Sequence, residues 1–273
     1  MTQTSFGRMP EWTDTSTKRM FSILHCPHLR LSVKVICRFK TSGSSKAWLA
    51  RHVNDPYVKL AERDNHRSRA AYKLQDIQEK HKIIKSGDFV IDLGAAPGGW
   101  SVMASKILNF NKGGLLASID LLDMEPIPTD AEANEGAYFI RGNFNSPVVR
   151  DELRKIARLS TNKIRQADVV LSDMLMNTTG HASTDHLKSM NICYDVLEYC
   201  KEYLRPGGHL LCKYFQGSDE KELLADAKLQ FKTTKLVKPK SSRSESREMY
   251  LLCVNKLPPE PLKKPVTDDA EVA

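Results

Sequence analysis

The run Phe89-Val-Ile-Asp-Leu-Gly-Ala-Ala-Pro-Gly-Gly-Trp100 constrains this chain most, because it demands a buried strand, a tight turn and a helix in immediate succession. Phe89, Val90 and Ile91 read as the strand, with Asp92 near its carboxyl end. Gly94, Gly98 and Gly99 let the backbone approach a ligand closely, and a helix opening near Gly99 points free amides at it. The spacing Gly94-x-x-x-Gly98-Gly99 differs from the G-x-G-x-x-G of a dinucleotide site, and no G-K-[ST] follows to make a phosphate loop. Pro97 also removes an amide donor that a phosphate cradle would use. Asp120, closing the apolar run Leu115–Asp120, suits the two hydroxyls of a ribose. A nicotinamide enzyme would use the same acid, so these residues alone specify only a nucleotide-like cofactor.

Strand signals recur at 88–92, 115–120, 137–141, 167–172, 209–215, 232–238 and 248–255. Helical stretches lie near 99–109, 147–158, 185–203 and 219–229, after two earlier ones at 45–54 and 66–80. This alternation predicts an α/β fold with a mostly parallel, seven-stranded sheet and helices on both faces. The last two strands, joined by the short polar link 239–247, are expected to form an antiparallel hairpin at one edge. Ligands in such sheets bind beyond the carboxyl ends of the strands, where Asp92, Asp120, Asn143 and Asp173 fall.

Composition adds bounds. A chain of 273 residues, 41% hydrophobic and 27% charged, buries one sizeable core plus tails. The net charge of +8 favours a polyanionic partner, although an organelle address raises it equally. Six cysteines show no C-x-x-C or zinc-like spacing, and His181 and His186 lack metal-like partners, so no metal site is expected. No apolar run approaches the roughly 18 to 20 residues that span a bilayer. Between Thr15 and Asn54 acidic residues are absent while Lys18, Arg19, Arg30, Lys34, Arg38, Lys40 and Lys46 are basic. This predicts a transit peptide or a basic leader over 1–44, with Met20 a candidate start. A catalytic domain over 45–256 and a disordered Pro-rich, acidic tail over 257–273 complete the organisation.

Lys213 interrupts the apolar strand Gly208–Phe215, where a buried ammonium is costly without a partner. Burial disfavours its charged form and equips the amine to accept a proton, whereas on an edge strand it would simply face solvent. Asp173 closes the strand Ala167–Asp173, a position also common in turns. Glu248 opens the last strand, and Lys73 lies on a helix, where charged residues are ordinarily solvated.

The segment Asp92-Leu-Gly-Ala-Ala-Pro-Gly-Gly-Trp-Ser101 resembles the cofactor loop of the FtsJ/RrmJ family of S-adenosylmethionine-dependent RNA 2′-O-ribose methyltransferases. The resemblance continues in Arg67-Ser-Arg-Ala-Ala-Tyr-Lys73-Leu, Leu171-Ser-Asp173-Met, Leu211-Cys-Lys213-Tyr-Phe-Gln-Gly and Ser244-Glu-Ser-Arg-Glu248-Met-Tyr. Ser45–His52 with Asp55–Lys59 looks most like the branch acting on large-subunit ribosomal RNA, including mitochondrial members.

The resemblance implies a Rossmann-like methyltransferase fold and a catalytic set of Lys73, Asp173, Lys213 and Glu248, with Lys213 as general base. It implies S-adenosylmethionine held by Pro97, Gly98, Gly99, Trp100, Asp120, Asn143 and Asp173. The chain departs from the family pattern at Asn143, where aspartate is usual, and at Asp173-Met-Leu-Met-Asn177, where Asp-Met-Ala-Pro-Asn is common. Ribosomal RNA within a large-subunit assembly intermediate is the expected partner, with Lys59, Arg63, Arg67, Arg69, Arg243 and Arg247 touching phosphates. The expected setting is the mitochondrial matrix, with the cytoplasm or nucleolus as alternatives. Transfer RNA as substrate, or a ribosome-assembly role with methylation secondary, are the competing readings.

Overall fold

The computed structural model describes residues 53, 55–128, 136–159 and 163–259. The expected leader, the helix at 45–54 apart from Val53, and the tail from 260 lie outside the described residues. Two helices, α1 (Pro56–Arg63) and α2 (Ala70–His81), lead into β1 (Phe89–Leu93), α3 (Gly99–Leu108), β2 (Leu115–Asp120) and β3 (Ala137–Arg141). There follow α4 (Pro147–Ile156), β4 (Ala167–Ser172), α5 (Ala182–Tyr203), β5 (Leu204–Phe215), α6 (Glu220–Gln230), β6 (Phe231–Val237) and β7 (Glu248–Lys256).

The strands form one sheet in the order β3-β2-β1-β4-β5-β7-β6. Strands β1 to β5 are parallel neighbours, while β7 runs antiparallel to both β5 and β6. The expected edge hairpin is therefore present, with its second strand inserted beside β5. Period-two alternation assigns each side chain to a face. Phe89, Ile91 and Leu93 join the core under α4, α5 and α6, whereas Val90, Leu116, Val169, Leu171 and Leu211 join Leu74, Ile77, Ala104 and Leu108 beneath α2 and α3. On β7, Tyr250 and Leu252 belong to this second face. Lys213 has the parity of Leu211, and Glu248 that of Tyr250, so both point toward the layer that contains α2.

Two local differences from the sequence expectations have clear causes. Helix α1 was not expected, although its start carries a strong signal: Asp55 accepts a hydrogen bond from the Tyr57 amide at 2.9 Å, and Pro56 occupies the first turn. Helix α2 begins at Ala70 rather than 66, because Asn65 adopts a left-handed conformation (φ 54°) after α1. Arg67 and Ser68 consequently lie outside the helix. Among the described residues no helix is long and apolar enough to cross a membrane.

Candidate active site

Lys73, on the buried side of α2, and Glu248, at the start of β7, meet at 2.6 Å between Nζ and Oε2. Burial pushes the Glu248 carboxyl up, but the charge and hydrogen bond of Lys73, with Lys213 and Arg69 farther off, outweigh it and hold the group below its ordinary value. Lys213, only 6% exposed, donates to the Asp173 carbonyl at 2.5 Å and lies 3.1 Å from Asp173 Oδ1. Tyr250, which the sequence presents as a core residue of an apolar strand, joins the site. Its hydroxyl donates to the same Oδ1 at 3.0 Å, and burial, reinforced by the neighbouring Asp173 carboxylate, pushes its pKa far up, so the phenol remains a donor. The Trp100 ring packs against Tyr250 at 5.7 Å, and its indole N–H donates to the Ala70 carbonyl at 2.8 Å. All four residues of the expected catalytic set thus converge, braced from the side by Tyr250 and Trp100.

Asp173 positions Lys213 through two of its oxygens. The Lys213 nitrogen meets both the carbonyl and a carboxylate oxygen of Asp173, and these two acceptors fix where the amine sits.

Beside this cluster opens a cleft of about 660 Å³, lined by Gly94, Asp120, Asn143, Phe144, Asp173 and Met174 among others. Asp120 is fixed from two sides: its Oδ2 accepts the Ala96 amide at 2.9 Å and its Oδ1 the Leu122 amide at 2.8 Å. Each oxygen retains a lone pair toward ribose hydroxyls. Asn143 Oδ1 accepts the Asn145 amide at 2.9 Å, which leaves its NH₂ as the end suited to an adenine acceptor. Gly94 sits at φ 73°, and a Cβ there would fall 2.2 Å from Met174 Cγ, so the wall of the cleft depends on glycine. Beneath the turn, fully buried Asp92 accepts from Ser101 at 2.6 Å. Its pKa is raised to about 7, first by burial and then by Asp173 and Asp120. Two carboxylates, Asp120 and Asp173, line the cleft, a field complementary to a cationic nucleoside such as S-adenosylmethionine. Of the other expected cofactor residues, Pro97 is exposed, while Gly98, Gly99 and Trp100 are buried and form the turn and support behind the wall.

The expected phosphate contacts divide by environment. Lys59 is exposed, and Arg63 is exposed beside Asp64 at 2.9 Å. Arg69 and Arg243 both bind the buried carboxylate of Asp55, the latter through Nη2 at 2.6 Å, and Arg69 also reaches the Ser241 carbonyl. These two guanidinium groups are committed to joining α1 and α2 to the β6–β7 link. Arg247 donates to the Ala182 carbonyl at 3.1 Å and lies over the Phe215 ring at 5.6 Å. Arg67 donates to carbonyls of the β2–β3 loop.

A family model described as FtsJ-like methyltransferase matches residues 66–256. The ribosomal RNA large subunit methyltransferase E of Rickettsia akari (strain Hartford) is 42% identical over 227 residues, covering 82% of this chain and 94% of that protein. The protein of the same name from Rhizobium meliloti (strain 1021) is 43% identical over 214 residues, 78% of this chain and 82% of its own length. A crystal structure of a ribosomal RNA methyltransferase from Plasmodium falciparum aligns with a TM-score of 0.59 at 29% identity, covering 70% of this chain and 99% of that one.

Proposed function

This chain belongs to the FtsJ-like methyltransferase family, and we propose that it methylates a ribose 2′-hydroxyl of large-subunit ribosomal RNA. The observation that carries this reading is the meeting of Lys213, Asp173, Lys73 and Glu248 beside a cleft lined by Asp120 and Asn143. Asp120 would hold the ribose of S-adenosylmethionine, Asn143 its adenine edge, and Gly94 with Asp173 the sulfonium end. The bound cofactor supplies an activated methyl group on a cationic sulfur. Lys213 takes the proton of the 2′-hydroxyl, held in place by Asp173. Lys73, oriented by Glu248, donates to the 2′-oxygen and fixes its approach, and positioning supplies much of the acceleration.

Lys59 and Arg63 are exposed on α1, which supports the reading that they meet phosphates. The relatives' names speak of large-subunit ribosomal RNA, which supports that substrate class. We assign the target to mitochondrial large-subunit RNA on the support of the basic, acid-free segment between Thr15 and Asn54, and the resemblance of Ser45–His52 with Asp55–Lys59 to the large-subunit branch extends the proposal to a uridine within an assembly intermediate. The test is to map 2′-O-methylation across organellar and cytosolic RNA in cells with and without this protein. Loss of one site in mitochondrial large-subunit RNA is expected. Loss confined to transfer RNA or to cytosolic ribosomal RNA would contradict the assignment.

A further inference from the structure

Arg67 joins three segments that the sequence keeps apart. Its guanidinium donates to successive carbonyls of the loop after β2, Glu125 at 2.7 Å and also Pro126. Its shaft lies on the cofactor turn. A Cβ on Gly98 would fall 2.5 Å from Arg67 Nη1, 3.1 Å from its Cδ and 3.0 Å from Met124 Sδ. Gly98 also adopts φ 104°, so both conformation and contact demand glycine there. The following pair repeats the arrangement, since a Cβ on Gly99 would come within 2.2 Å of Ser68 Oγ. Arg67 therefore connects the approach to α2, which carries Lys73, with the glycine turn and with the loop that continues from Asp120. Leu121 and Leu122 of that loop line the cleft.

We propose that Arg67 is a positioning residue for the cofactor. It fastens the 121–127 loop against Gly98 and preforms the outer wall of the cleft, rather than serving as a contact to RNA phosphate. The rigid fork of a guanidinium spans two adjacent carbonyls, which a lysine ammonium on its flexible stem does not reproduce. With the loop untied, each binding event carries the cost of ordering it. The inference rests on the reading that the cleft takes S-adenosylmethionine.

The test is calorimetric titration of the full-length protein with S-adenosylhomocysteine in the absence of RNA, for the unaltered chain, Arg67→Ala and Arg67→Lys. Both variants are expected to weaken binding about tenfold. In both, kcat at saturating cofactor stays within about twofold. RNA affinity of Arg67→Lys stays unchanged, because its charge is kept. Hydrogen exchange in 121–127 rises in both variants while their melting temperatures stay near that of the parent, which separates a loosened loop from a folding defect. Equal cofactor affinity in all three proteins overturns the inference, as does an Arg67→Lys variant that binds like the parent. An unaltered chain that fails to bind S-adenosylhomocysteine removes the underlying reading and the inference together.

Discussion

Tyr250 and Lys213 face each other across the β5–β7 pair, and both reach the same oxygen of Asp173, at 3.0 Å and 3.1 Å. The carboxylate is thereby held between a phenol that stays protonated and the amine it positions. Tyr250→Phe removes that hydroxyl and leaves the ring against Trp100. A lost hydrogen bond to a charged group is worth about 1.5 kcal/mol, so kcat should fall about tenfold. The KM for cofactor and for RNA should stay unchanged, which steady-state kinetics would show. A rise in KM with kcat preserved would mean that Tyr250 shapes binding instead.

Asp55 bears the charge of two arginines from different parts of the chain, Arg69 before α2 and Arg243 between β6 and β7. Burial pushes its carboxyl up, but the hydrogen bond from Arg243 leads the contacts that bring it below its ordinary value. Asp55→Asn leaves both guanidinium groups without a counter-charge. Because they are partly exposed, the loss should be about 2–3 kcal/mol, below the full value for a buried pair. Urea denaturation would measure it, and hydrogen exchange in 239–247 should quicken. An unchanged midpoint would show that solvent serves these arginines equally well.

Asp92 gives the fold a defined pH response. Its pKa is about 7 when folded and near the ordinary 3.8 when unfolded. The folded chain thus keeps a proton that the unfolded chain releases. The stability it contributes is complete below the unfolded value, declines as pH rises, and is lost above about 7. Asn at this position has no proton to lose. Relative to the parent, Asp92→Asn should gain roughly 2–4 kcal/mol of stability between about pH 4 and pH 8. A difference that does not vary with pH would show that Asp92 ionises in the folded protein as readily as in the unfolded one.

The features behind this chemistry differ greatly in how plainly the sequence displays them. The turn at 94–100 was legible because backbone geometry leaves few residues for such a bend, and Lys213 because an apolar strand has no ordinary use for an ammonium. The seven-stranded sheet followed from alternation, since each strand and helix has its own period. Tyr250 was not legible: a tyrosine in an apolar strand reads as core, and only the pairing of β7 with β5 sets it opposite Lys213. The intramolecular partners of Arg67, Arg69 and Arg243 were not legible, because charge in a sequence carries no sign of its partner. Their partners lie 58, 14 and 188 residues away. Helix α1 is signalled in the sequence by Asp55-Pro56, a cap followed by a first-turn proline.

The central claim is that Lys213 accepts the ribose proton while the cofactor cleft is built from other residues. Lys213→Ala, given labelled S-adenosylmethionine and large-subunit ribosomal RNA, tests it most directly when the product is digested to nucleosides and scored for 2′-O-methylation. The account predicts a rate at least about a thousandfold below the parent, with S-adenosylhomocysteine affinity retained. Substantial 2′-O-methylation by Lys213→Ala would contradict it.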